Sequence, residues 1–553
     1  MKNIGSNAFL EKYSLLKKAL FHFDKNLVEQ KIQLMDELAS SCDLKAKSIK
    51  SVHQLLLGLM AYPDDKKLLI KAEEAMSNLY RKIYDHGSLQ NTLIASGYYS
   101  TNIECNFSYA IVRFLTQHFP GQITIHSASS SVDSQKAVLK LLLPHTEYSL
   151  IHSCEKDLKQ RIKQFKGNNT LTDLEWLLQL IAQSPMIEKE KAFVYNQLGV
   201  FIQWKISSLD KSVGLLRGPN SPVYYHKEAL DKKTDLHSII NKKLPAPKKL
   251  SAVEKENIIT AARLSLVYLY RETEPFSNAN NNDITLFELD KGISIALFGS
   301  IPEKRYSLES YIGYMVFKNN IPMSYGGGWL FGERCQFGIN ILEAFRGGES
   351  SLVICELLRV YHQYFGAQRF VVKPYQFGLH NNEAIKTGAF WFYYKLGFRP
   401  EDEKLKALAL EEENQKLKNP NYKSTEATLR NYTKSNLALV LKPNAFPIYD
   451  AEALSQKITQ HINQTFNGDR EKALNTCYTR LKKNLNLTTK NWKEIDVEYA
   501  KQLSVLFDTM PNSKEWQLKN KDQIVKLVLL KSETTELPWI LHLRKFKAFW
   551  DLF

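Results

Sequence analysis

The stretch from Phe337 to Pro400 constrains the fold of this 553-residue chain more than any other part of it. Phe337, Ile339 and Ile341 alternate with Gly338, Asn340 and Leu342, which is the period of a strand with one buried face. Gly347 and Gly348 then allow a sharp turn in which the backbone can approach a ligand without a Cβ in the way. Ser350 and Ser351 are good helix N-caps, and Ile354, Leu357, Leu358, Tyr361 and Phe365 fall on one face of the helix that follows. Phe370, Val371 and Val372 form a short β-branched run expected to be a buried neighbouring strand, parallel to the first. A further helix is expected to run up to Leu396-Gly397-Phe398. This order puts the positive end of a helix at a glycine turn, where a phosphate group is favoured, beside two strands able to hold an extended ligand.

The same residues resemble the GNAT superfamily of acyl-coenzyme A-dependent N-acyltransferases. The turn Arg346-Gly347-Gly348-Glu349-Ser350-Ser351 stands where that family has R-G-x-G-x-G/A. Asn381 and Asn382 open the second helix, and Tyr393 precedes the Gly397-Phe398 pair by four residues. The resemblance covers roughly 290–445 and implies a mixed α/β (α+β) sheet with flanking helices. It also implies that the strand before the turn splays from its neighbour, so that backbone amides at Ile341, Leu342 and Glu343 hold the pantetheine arm. Arg346, Gly347, Gly348, Ser350 and Ser351 would hold the pyrophosphate, Asn382 would touch the pantetheine, and Tyr393 would protonate the leaving thiolate. Acetyl-CoA or another acyl-CoA would be the co-substrate, and an amine on a small molecule or a protein the acceptor. The turn departs from the pattern at Glu349 and Ser351. Glu349 brings a negative charge near the pyrophosphate position, unfavourable unless it points away or pairs with Arg346. The candidates in sequence for a general base are Glu333, Glu343, His362 and His380. The alternative is a non-catalytic GNAT-like scaffold whose helical flanks bind a macromolecular partner.

Upstream, Gly292–Gly299 and Tyr311–Lys318 read as strands, with Asn319-Asn320 as a hairpin turn. Ile321–Phe331 reads as a strand broken at Gly326-Gly327-Gly328. Ala261–Arg271 reads as a helix ending in RETEPFSNANNND, either a substrate-side loop or a surface linker. Leu437–Leu441 is expected to be the last strand of the sheet. Residues 1–247 read as mostly helical, with helices on either side of Pro63-Asp64-Asp65 and helical faces at Leu174–Ile181 and Phe193–Ile206. The acyltransferase-like domain is expected over 248–445, after a linker at Leu244–Lys249, and 446–553 reads as helical, with its apolar end packed on the body.

Composition sets the class. A hydrophobic content of 44% is that of a folded globular protein, and the length suits two to four domains. Six scattered cysteines form no C-x-x-C pair, so the sequence suggests neither a zinc site nor a disulfide framework. No stretch has the length and apolarity of a membrane span, and the N-terminus lacks a signal-peptide pattern, so a cytoplasmic setting without membrane contact is expected. The net charge of +16 is compatible with nucleic acid. Its lysines are nevertheless spread in short pairs such as Lys242-Lys243 and Lys482-Lys483, which favours a solubilising surface.

Overall fold

From Ile293 onward, each alternating or β-branched run becomes a strand of one sheet in the computed structural model. The structure describes residues 4–42, 44–152, 157–230, 234–443 and 450–551. Cys154, the Lys232-Lys233 pair, Leu552 and Phe553 lie outside them. The chain divides into two units, one of Met1–Ala229, Val253–Ser277 and Lys318–Pro322, the other of Leu230–Ala252, Asn278–Phe317 and Met323–Phe553.

The first unit is mainly helical but contains a small antiparallel sheet. Its strands are β1 (Asn102–Cys105), β2 (Ile123–Ala128) and β3 (Val200–Lys205), in the order β1-β3-β2. The expectation of helix throughout Phe193–Ile206 is therefore corrected. A helix ends at Gln197, Gly199 turns with φ +56°, and V-F-I-Q-W-K then alternates buried and less buried positions as the central strand. The helices around Pro63-Asp64-Asp65 are Ala46–Ala61 and Lys66–Tyr84, and the Asp65 carboxylate caps the second by accepting from Leu68 N at 2.8 Å. Between them lies a buried aromatic cluster. His53 stacks on Tyr98 at 4.2 Å, and its Nε2 is 2.9 Å from the Tyr80 hydroxyl.

The second unit is built on an eight-stranded mixed sheet. Its strands are β4 (Ala279–Glu288), β5 (Ile293–Ser300), β6 (Ser310–Lys318), β7 (Ile321–Phe331), β8 (Arg334–Ile341), β9 (Arg369–Val372), β10 (Arg399–Pro400) and β11 (Leu437–Val440), in the order β10-β11-β9-β8-β7-β6-β5-β4. Asn319 and Asn320 both take positive φ (47° and 68°), as a tight hairpin turn requires. Two expectations fail here. RETEPFSNANNND is neither loop nor linker: Glu274–Ser277 is a short helix, and the asparagines begin edge strand β4, which carries a register shift against β5 between Ala279 and Ile284. The glycine triplet does not break β7. A Cβ at Gly326 would lie 2.5 Å from the Tyr314 hydroxyl, at Gly327 2.5 Å from the Tyr311 ring, and at Gly328 2.5 Å from the Tyr361 ring. The glycines are the floor on which these rings pack.

The C-terminal helices belong to this same unit. Lys531 and Glu536, both fully buried, pair at 2.7 Å, and the Ser310 hydroxyl donates to the same carboxylate at 2.7 Å. Arg305 donates to the carbonyls of Lys531 and Thr534, tying the start of β6 to these helices. Phe549 and Trp550 are buried, with Trp550 against Phe331 and Gly332. Among the described residues, no helix is long and apolar enough to cross a membrane.

Two stability tests follow from this packing. Gly326→Ala places a methyl 2.2 Å from the Gly338 carbonyl oxygen. It is expected to cost about 1–3 kcal/mol by denaturant titration, the scale of overpacking. In the first unit, burial lowers the His53 pKa to about 3. Its stability contribution is complete above the unfolded-state pKa of about 6.5 and falls as pH drops below it, because only the unfolded chain then binds the proton. Between pH 7 and 5 the loss should be about 2 kcal/mol, and it should be absent in His53→Gln.

Candidate functional site

The distinctive feature of the sheet is how briefly β8 and β9 run together. They pair in parallel only at Arg334–Arg369, Cys335–Phe370 and Gln336–Val371. β8 continues five residues further, to Ile341, paired with β7 alone. β9 stops at Val372, and Pro374 starts a one-turn 3-10 helix, Pro374–Phe377, which leads the chain away. A gap opens between the two strands.

The polar edge of β8 that faces this gap follows from strand alternation. Leu342 N donates to Met323 O at 3.0 Å, so its amide is committed to β7. Neighbouring amides in a strand point to opposite edges, so those of Ile341 and Ile339 point into the gap. Ile339 N does so, donating to Gln376 Oε1 at 3.4 Å. The Tyr393 hydroxyl donates to the same oxygen, also at 3.4 Å. The Gln376 amide group lies against Gly338, where an added Cβ would be 3.3 Å from Nε2. Tyr314 completes the floor, its hydroxyl donating to Gly338 O at 2.8 Å. Gln376 was not among the residues expected from sequence. A glutamine in a P-Y-Q-F turn carries no pattern of its own, and only the parting of the strands gives it a place.

No protein-family model, curated protein or solved structure matches the chain.

The turn after β8 differs from expectation in three ways. Glu349, not Ser350 or Ser351, is the N-cap of the helix Ser350–Val360, and it makes no side-chain cap. Its side chain is fully buried. Arg346 pairs with Glu383, not Glu349, and its Nε donates to Ile341 O at 3.3 Å. Ser350 and Ser351 therefore occupy the first helical turn, where backbone amides lack intrahelical acceptors. Gly347 has φ +81° and open space where a Cβ would stand, so the outer face of the turn is accessible. Leu342 leads into a short 3-10 turn, Glu343–Phe345, that leaves Glu343 exposed, so of the three expected amide positions only Ile341 faces the gap.

The helix Ser350–Val360 is enclosed on every side from Leu352 onward, not on one face. Its two charged residues pair, Arg359 Nε donating to Glu356 Oε2 at 2.7 Å, and Arg359 also donates to the Lys242 and Lys243 carbonyls. The helix expected before Gly397-Phe398 is two, Asn382–Thr387 and Ala389–Lys395, joined at Gly388 in the left-handed conformation. Asn381 caps the first by accepting from Ala384 N. Asn382 is exposed and its side chain accepts from Arg430 at 3.0 Å.

Tyr393 is 3% exposed, and burial holds its phenol well above the ordinary tyrosine range, so it keeps its proton at neutral pH. Glu333 sits at the opposite end of β8, His362 Nδ1 contacts Ala367 O, and Glu343 and His380 are exposed. No hydrogen bond joins any of them to Gln376 or Tyr393 among the described residues.

The Tyr393 ring packs against Phe398 at 5.6 Å, whereas its hydroxyl makes one long hydrogen bond. Tyr393→Phe should therefore change stability by less than about 1 kcal/mol, while Tyr393→Ala should cost about 3–5 kcal/mol. Thermal and denaturant unfolding measure both.

Proposed function

We propose that the gap between β8 and β9 takes the pantetheine arm of an acyl-CoA, and that the domain transfers the acyl group to an amine as a GNAT-like N-acyltransferase. The observation that carries this reading is the Gln376 side chain. Its carboxamide oxygen accepts from the Ile339 amide and from Tyr393 inside the gap. An amide carbonyl of a pantetheine arm, or a thioester carbonyl, would make the same contact there. Gln376 would give way to it.

The chain's own groups then have distinct parts. The Ile339 and Ile341 amides donate to the ligand's carbonyl oxygens in place of a missing strand, aligning it and drawing charge onto a thioester carbonyl oxygen. The Gly347-Gly348 turn and the first amides of the helix Ser350–Val360 face a pyrophosphate, with Arg346 turning from Glu383 toward it. A neutral amine attacks the thioester carbon, the C–N bond forms and the C–S bond breaks. Tyr393 supplies a proton to the departing sulfur. The amine's own proton leaves through water, which returns a proton to Tyr393. The lack of a hydrogen bond from any candidate base to Gln376 or Tyr393 among the described residues favours a second reading, a module that binds acyl-CoA without turning it over.

Calorimetric titration with acetyl-CoA, together with melting curves, tests binding. At a hundredfold excess over Kd the ligand should stabilise the protein by about 2.7 kcal/mol, and Gly347→Asp should abolish the effect. No heat and no shift at millimolar ligand would refute acyl-CoA binding. With an amine acceptor, Tyr393→Phe should lower turnover by roughly 10²–10⁴-fold at unchanged acetyl-CoA affinity. Binding with no turnover on any amine would leave the non-catalytic reading.

A further inference from the structure

Three side chains of the C-terminal helices converge at one point far along the sequence from the β8–β9 gap. His461 lies on the helix Ala451–Phe466, Cys477 on Arg470–Leu485, and Asp508 is the last residue of Glu494–Asp508. Each offers one ligand atom, and these atoms all lie within 4.8 Å of one another. His461 Nε2 is 3.1 Å from Asp508 Oδ2, and Cys477 Sγ is 3.5 Å from the same oxygen. Around a tetrahedral zinc ion with bonds of about 2.0–2.3 Å, ligand atoms lie about 3.3–3.8 Å apart. The two distances to Asp508 are already close to that spacing.

The surroundings suit a cation. His461 Nδ1 lies 3.3 Å from the Thr465 hydroxyl one turn along its helix, a partner that fixes the ring and leaves Nε2 to the ion. Cys477 is 1% exposed and packs with Ile462, Phe466, Ala473 and Val505, which gives the cluster an apolar wall. Asp508 closes its helix, where the negative end of the macrodipole adds to the attraction. An activated cysteine nucleophile is the competing chemistry, and the geometry opposes it. The thiol donates to the carboxylate and not to the imidazole, so His461 is not placed to take its proton.

We propose that His461, Cys477 and Asp508 are the protein ligands of a zinc site, with water at the fourth position. When zinc binds, the Cys477 thiol releases its proton to solvent as the Zn–S bond forms, and neutral His461 and the Asp508 carboxylate supply the nitrogen and oxygen. Arg480 is the group the ion displaces. Its Nη1 is 2.9 Å from Asp508 Oδ2, but its side chain is 49% exposed and can turn into water.

Cobalt(II), titrated into the full chain after chelator treatment, tests the site through its absorption spectrum. The expected result is one ion bound per chain with a thiolate-to-cobalt charge-transfer band in the near ultraviolet, displaced by one equivalent of zinc. Cys477→Ala should lose that band, and Asp508→Asn should bind at least tenfold more weakly, with circular dichroism of the metal-free variants as the folding control. Arg480→Gln keeps all three ligands and removes the competing cation, so it should bind several-fold more tightly. That variant keeps the test open if Cys477→Ala does not fold. No stoichiometric binding by the wild type, a thiolate band retained in Cys477→Ala, or unchanged or weaker binding in Arg480→Gln would overturn the proposal.

Discussion

A strand paired on one edge only is the constraint around which the second unit is arranged. Backbone amides in a sheet need acceptors, and an unpaired buried N–H costs about as much as a lost hydrogen bond. Beyond Gln336, β8 has β7 on one side and no strand on the other. Gln376 takes the place of the absent strand for one of these amides, at a long 3.4 Å. A ligand with better-placed carbonyls would replace so weak a contact at small cost, which is the basis of the proposed binding.

The rest of the unit keeps that edge open. The β4–β8 meander holds β8 from one side, and the β7 glycines let Tyr311, Tyr314 and Tyr361 pack closely against the sheet. On the other side β9 is fixed by four pairs with β11, from Arg369–Val440 to Val372–Leu437, so it cannot drift back to close the gap. The buried Lys531–Glu536 pair, with Arg305 and Ser310, ties the C-terminal helices to the start of β6. Removing one member of such a buried pair is costly, because the remaining charge has no water to turn to. This makes the C-terminal helices part of the sheet's support.

Much of this was legible in the sequence, and the misses have physical causes. Phe337–Ile341, the β-branched Phe370–Val372 and the Asn319-Asn320 turn signal their elements locally, and the structure has them. β4 was hidden because asparagines at its start read as a loop, although its Ile284–Glu288 half pairs regularly with β5. β3 was hidden because Val200–Lys205 follows a helix with only Leu198 and Gly199 between them. The β7 glycines read as a break because the rings that need the space lie on other elements. Ser350 and Ser351 read as caps because their propensity is local, whereas the burial of Glu349 is set by tertiary packing. Gln376 and the His461–Cys477–Asp508 cluster have no sequence signature. Each is assembled from residues on different elements.

The measurement that bears most directly on the central claim is residue-resolved amide hydrogen exchange with and without CoA. If the unpaired edge of β8 is the ligand's docking edge, CoA should slow exchange at Ile339 and Ile341 and in the first turn of the helix Ser350–Val360. Leu342, already bonded to Met323, should be unchanged. Unchanged exchange at Ile339 and Ile341 under saturating CoA, or protection confined to other parts of the chain, would contradict the account.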